Sequence, residues 1–205
     1  MDDGITTVGV VPDITKLILD DHAWFRWQFH ALDALQAADP VDAAAVKALW
    51  EPLSARLDLH AIAEERIFYP QLLAVGEDPE AETLDAIGDH NDIRDGLHDA
   101  NRHPVASDDW WAAVMAAREA NDEHMGEEEH EGLRDFRLRA PDALRERLGA
   151  EFAAFLDTHT TTRGVDTSDK DPESYVRDVE RELDHPASGA TGGGSSLGIG
   201  SLKGR

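Results

Sequence analysis

The sequence predicts an all-α protein: an up-down antiparallel four-helix bundle with an additional C-terminal helix and a flexible tail. Three observations carry that expectation. Apolar residues recur at three- and four-residue intervals over four long stretches, short breaks containing Pro, Gly or Asp separate them, and each stripe carries a histidine.

The first helix is expected over roughly 13–38, where Ile14, Leu17, Ile18, Phe25, Phe29 and Leu32 share a face with His22, while His30 sits off it. Asp39-Pro40 reads as a stop and restart, with Asp39 capping a second helix, Pro40 in its first turn and Asp42 at its third position. That helix runs to about 74 with Leu49, Leu53, Leu57, His60, Glu64 and Phe68 along its stripe, and Pro70 ends or bends its last turn. Asp78-Pro79 opens a third helix to about 101, carrying Leu84, Ile87, His90, Arg94 and Leu97. Gly88 and Gly96 lower its intrinsic propensity, so packing or ligation must hold it. Ser107 caps a fourth, through Trp110, Val114, Ala117, Asn121, His124 and Glu128 and on to about 139. Pro141 starts an amphipathic covering helix to about 161, packed on the bundle or used between subunits.

The expected division is a bundle with its covering helix over 11–161, then an acidic segment and Gly/Ser-rich tail over 162–205, with a short helix near 172–183. Leu197, Ile199 and Leu202, followed by Lys203 and Arg205, make 188–205 a candidate docking peptide for a protein partner.

Charge narrows the function classes. Against 19 Lys and Arg stand 43 Asp and Glu, a formal net charge of −24, which opposes binding to nucleic acid or anionic membranes. The absence of cysteine excludes disulfides, thiolate catalysis and iron-sulfur clusters. With an acidic N-terminus unlike a secretory signal and no long apolar run, the expectation is a cytoplasmic protein that does not span a membrane.

His60 and Glu64 are one helical turn apart on one face, and the arrangement returns at His124 and Glu128. With His22 and His90 from the other two helices, four imidazoles and two carboxylates can meet in the bundle core. Burying them without compensation is costly, and a pair of metal ions supplies it. Each carboxylate offers two oxygens and can bridge, leaving the imidazoles terminal. Mixed N and O donors without sulfur suit iron, manganese or zinc.

The order His22, His60-x-x-x-Glu64, His90, His124-x-x-x-Glu128 resembles the hemerythrin-like, HHE cation-binding domain family over about 11–160. The resemblance implies a non-heme di-iron centre, oxo- or hydroxo-bridged, with His22, His60, His90 and His124 as terminal ligands and Glu64 and Glu128 as bridges. The chain departs from oxygen-carrying members of that family: Arg94 stands where their third helix has a further His, and Glu128 follows His124 by four residues where theirs has an Asp after five. The departure implies an open coordination position and a protein that binds or reduces small oxygen species (peroxide, O2 or NO), in the manner of a catalase or peroxidase. The alternative is an iron- or oxygen-responsive regulatory module acting through the C-terminal tail.

Two further residues are candidates for chemistry. Tyr69 could bind iron or donate to a bound oxygen species, and Arg94 could stabilise an anionic one or bridge to an acid. Asp21, Asp89 and Glu123 precede histidines and are candidates to accept an imidazole N–H, but adjacent side chains diverge by about 100° on a helix, so the favoured reading is solvent-facing acids, and Glu65 and Asp92 carry the same two readings. Glu127 and Glu129 are expected to be dispensable neighbours of Glu128. Trp24, Trp27, Trp110 and Trp111 read as packing residues that exclude water.

Overall fold

The computed structural model describes residues 12–185. The tail over 188–205 and its docking residues lie outside the described residues. Eight α-helices and one π-helical turn make up the described chain: α1 Ile14–Gln36, α2 Ala43–Ala63, the π turn Glu64–Phe68, α3 Tyr69–Val75, α4 Pro79–Ala100, α5 Asp108–His130, α6 Gly132–Arg139, α7 Asp142–Thr158 and α8 Pro172–Asp184. The four long helices α1, α2, α4 and α5 form the expected bundle, α1 lying against α2 and α5, and α4 against α2 and α5.

Local chemistry sets the starts. The Asp13 carboxylate accepts from the Thr15 amide at the head of α1, Ser107 accepts from Trp110 at the head of α5, and Asp171 accepts from Ser174 at the head of α8. Asp42, rather than Asp39, caps α2, accepting from Ala44 and Ala45, because Asp39 and Pro40 belong to the preceding turn, joined by a cis peptide. Asp78 holds the N-cap position of α4, but its side chain makes no capping bond.

Pro70 bends the second helix differently from the expectation. Proline has no N–H and its ring crowds the carbonyl four residues back, and here the chain widens into the π turn just upstream. The Tyr69 amide bonds to the Glu64 carbonyl, five residues back, and α3 continues beyond. The fourth helix is likewise broken at Glu131 (φ −111°, ψ −82°) into α5 and α6. Gly96 answers one helix-weakening question by packing, since a Cβ there would lie 2.7 Å from the Ala117 backbone nitrogen on α5; Gly88 has nothing comparable near it.

The core is two apolar clusters with a polar layer between them. Ile14 and Ile18 of α1 join Phe68, Leu72, Ile87 and Phe136 in one; Phe25 and Phe29 join Leu53, Leu57, Ile93 and Trp110 in the other. His22, His60, Glu64, His90, His124 and Glu128 interrupt the stripes at the same level of the bundle, all buried. α7 covers the first cluster with Leu148, Phe152 and Leu156, which realises the covering-helix expectation. α8 packs on α4 and α3 and buries Val176.

The tryptophans divide. Trp110 is buried and packs edge-on against Trp50, a residue the stripe reading passed over, whereas Trp27 is 71 % exposed and Trp24 37 %. Both sit on the outer face of α1, so the expectation that they exclude water from the core is corrected. Among the described residues, no helix is long and apolar enough to cross a membrane.

Candidate metal centre

All six residues of the expected constellation converge. The donor atoms of His22, His60 and Glu64 lie within 4.8 Å of one another, as do those of Glu64, His90 and His124, so Glu64 belongs to both groups. The helical period explains the convergence: a ligand and its partner one turn on face the axis together, and the antiparallel helices bring their polar positions to one level.

Each imidazole has the same orientation. Nε2 points inward, and Nδ1 points outward to a carboxylate. Inside, His60 Nε2 is 2.8 Å from Glu64 Oε1, His90 Nε2 is 3.4 Å from Glu64 Oε2, and His22 Nε2 is 3.4 Å from Glu128 Oε2. The Nε2 atoms of His90 and His124 face each other at 3.2 Å. Outside, Asp21 meets His60 at 3.0 Å, Glu65 meets His90 at 3.0 Å, Glu129 meets His22 at 3.0 Å and Asp89 meets His124 at 3.5 Å.

The outer carboxylates form a ring that hands on from helix to helix. α1 supplies the acid for the α2 histidine, the π turn for the α4 histidine, α4 for the α5 histidine, and α5 for the α1 histidine. Every one of these acids is the immediate sequence neighbour of an inward-facing residue. The 100° step between adjacent side chains does turn Asp21, Asp89, Glu65 and Glu129 away from the neighbouring site residue, but it turns them onto the next helix rather than into solvent. The reading of Asp21, Glu65 and Asp89 as solvent-facing acids, and of Glu129 as dispensable, is therefore corrected; Glu123 and Asp92 are exposed as expected. Beyond the acids lie cations: Arg56 on Asp21, Arg26 on Glu129, and Arg94 with Lys170 on Glu65.

The donors fit a pair of cations. His22 Nε2, His60 Nε2, both oxygens of Glu64 and Glu128 Oε2 are buried without a hydrogen-bond partner, although His60 and Glu64 are close. An outward Nδ1–H also leaves the His90 and His124 lone pairs opposed, an arrangement that repels unless a proton or a metal lies between them. Buried polar atoms left unpaired are costly, and five grouped in one layer mark a place built for a cation.

Electrostatics point the same way. Burial alone would depress the His60 pKa, but Glu64 and Asp21 outweigh it and raise it to about 10. Burial opposes, and Glu64 and Glu65 overcome it, to raise His90; Glu128 and Glu129 do the same for His22. Glu64 is held well below the usual range by His60 and His90, against its own desolvation. The buried carboxylates therefore favour positive charge on the histidines of the layer.

The remaining candidates sit at the margin of the layer. Tyr69 is fully buried and its hydroxyl donates to Glu128 Oε1 at 2.9 Å. The π turn accounts for this: five residues in a π register replace four in an α register, which returns Tyr69 to the face of His60 and Glu64. The guanidinium of Arg94 is also buried and bonds to Glu65 and Asn91, on the outer side of His90. A cleft of about 300 Å³, counted to its open mouth, reaches Tyr69, His124 and Glu128 from a rim that includes Glu82, Asp85 and Glu127. Burial, with Glu128 and Glu131 nearby, lifts the Glu82 carboxyl to about 8. On the opposite side Phe25 and Phe152 close edge-on over His60, at 5.1 and 5.8 Å between ring centres.

Residues 13–135, which contain every inward-facing donor, match the family model described as the hemerythrin HHE cation binding domain. No curated protein and no solved structure matches the chain. With more than half of the sequence inside that match, and a buried His/Glu layer within it, the chain belongs to the hemerythrin HHE cation-binding family.

Proposed function

We propose that the chain holds two irons in this layer, with His22, His60, His90 and His124 as terminal ligands and Glu64 and Glu128 as bridges, and that it binds or reduces peroxide, O2 or NO. The observation that carries the reading is the set of buried, unpartnered donors that all face one another. Iron is favoured over manganese and zinc by the family to which the chain belongs. When bound, an iron pair supplies two coupled one-electron changes, so that a two-electron reduction proceeds without a released radical.

The protein's own contribution is orientation, proton supply and exclusion of water. Outward Nδ1–H groups held by Asp21, Glu65, Asp89 and Glu129 fix the tautomer that leaves each Nε2 lone pair facing inward. Phe25 and Phe152 keep water from the His60 side. On the cleft side the Tyr69 hydroxyl holds a proton at Glu128 Oε1, the nearest buried O–H to an incoming ligand. Arg94 acts through Glu65 as a positioning residue for His90.

Metal analysis of purified protein together with its optical spectrum tests the reading. The expected result is two irons per chain and near-ultraviolet bands that respond to peroxide or NO. Protein that takes up no metal, or takes up iron yet leaves both ligands without spectral effect, overturns it. The regulatory alternative is supported by one observation, the fastening of residues beyond the bundle onto Glu65.

A further inference from the structure

Three contacts tie the segment around Lys170 to the outer side of His90. The Asn91 amide nitrogen donates to the Lys170 carbonyl at 2.7 Å, and the Lys170 amide donates back to Asn91 Oδ1 at 2.9 Å, so one side chain clasps the backbone in both directions. The Lys170 ammonium forms an ion pair with Glu65 Oε2 at 2.5 Å. The Tyr175 hydroxyl donates to the Glu65 backbone carbonyl at 2.5 Å. The ammonium reaches the buried carboxylate whose other oxygen orients His90, the Tyr175 hydroxyl holds the backbone of that same residue, and Asn91, next to His90 in the chain, fixes the Lys170 backbone.

The other outer carboxylates are not held this way. Asp21 and Glu129 take their cations, Arg56 and Arg26, from α2 and α1, within the family match. Glu65 takes one cation from α4 and a second from residues that follow the bundle and the covering helix. Glu65 is also the least exposed of the four, so it depends most on charge supplied by neighbours. Without this segment Oε2 would lack its ammonium, and the partner of His90 Nδ1 would be held by Arg94 alone.

We infer that Lys170 and Tyr175 are positioning residues for His90, acting through Glu65, so that docking of residues 165–184 and binding of a divalent cation in the layer favour each other. The inference rests on the metal-centre reading above. Replacing a carboxylate partner of a ligating imidazole changes metal affinity by about 10- to 100-fold, and loosening that partner belongs at the lower end. Linkage makes the effect reciprocal: the factor by which docking tightens metal binding is the factor by which metal tightens docking.

The test uses the full chain, titrated anaerobically with ferrous iron. Wild type, Lys170→Met, Lys170→Arg and Tyr175→Phe are compared for iron affinity and for amide exchange over 165–184, with far-ultraviolet circular dichroism to establish that each is folded. The expected result is that Lys170→Met weakens one of the two iron-binding steps about 10-fold, that Lys170→Arg restores most of it, and that Tyr175→Phe shifts it in the same direction by less. Iron should also slow exchange at the Lys170 amide in wild type and do so less in Lys170→Met. Iron binding equal to wild type in folded Lys170→Met and Tyr175→Phe, or exchange over 165–184 that iron does not alter, overturns the inference while the metal centre stands. A wild-type chain that binds no iron removes the metal-centre reading, and the inference with it.

Discussion

The two halves of the donor layer each set two histidines around Glu64 and differ in their surroundings. On one side His60 is backed by Asp21 with Arg56 and His22 by Glu129 with Arg26, and Phe25 and Phe152 close over His60. On the other, His124 and Glu128 line an acid-rimmed cleft, and His90 leans on a carboxylate held partly from outside the bundle. The donors alone do not say where a ligand arrives. The walls differ: aromatic rings lie against His60 on one side, and a cleft is lined by His124 and Glu128 on the other.

The largest effect expected from breaking the layer falls on both halves together. Glu64 is the donor common to the two groups, so Glu64→Ala should leave the chain unable to retain either ion through dialysis, while Glu127→Ala on the cleft rim keeps both; metal content is the measurement. Next comes a difference between the halves. His60→Gly and His124→Gly should each weaken metal binding by at least about 10-fold, but added imidazole should restore metal only in His124→Gly, because the cleft reaches that position. Equal rescue in both would remove the distinction between a sealed and an accessible half.

Outer carboxylates should matter less and unequally. Asp21→Asn and Glu129→Gln are expected to lower affinity by roughly 10-fold or more, and Asp89→Asn by less, since it stands farther from its imidazole. Competition against a chelator reads this series. Acidity gives a further test. His60 holds its proton up to about pH 10 against an ordinary value of 6.5, so the gain it gives the metal-free fold is complete below pH 6.5 and is lost as pH climbs through about 10. Metal requires the neutral imidazole, so the gap in Tm between iron-loaded and metal-free protein should widen across that window. A gap that narrows would contradict the proton-for-metal exchange. The smallest effect concerns charge at the cleft: azide, an anion, should bind the iron-loaded protein more tightly as salt screens Asp85 and Glu127, while uncharged peroxide should show little salt dependence.

Much of the inner layer was legible in one dimension because a helix repeats. His60 with Glu64, and His124 with Glu128, share a face by spacing, and apolar neighbours reveal that the face is turned inward. The outer ring was not legible for the complementary reason. Spacing shows that Asp21 points away from His22, but whether that direction meets water or the next helix depends on how helices pack. Glu65 and Glu129 were hidden among adjacent glutamates for the same cause, and Trp24 and Trp27 were misjudged because size alone does not tell the outer face of α1 from the inner. Pro70 signalled an irregularity but placed it too late, since the strain of a proline is relieved in the turn before it. The contacts of Lys170 with Glu65 span more than a hundred residues and carry no periodic trace.

The π turn has a bearing on anyone who would regularise this protein. Glu64–Phe68 holds one residue more than an ordinary turn, and deleting one of them would yield a smoother helix. Removing a residue between Glu64 and Tyr69 would leave the phenol one α turn after Glu64 and still on its face, whereas straightening the turn with every residue kept would rotate everything downstream by about 100° and carry Tyr69 off Glu128. Regularity gained without that deletion would cost the layer the Tyr69 hydroxyl, which among the described residues is the one that reaches it.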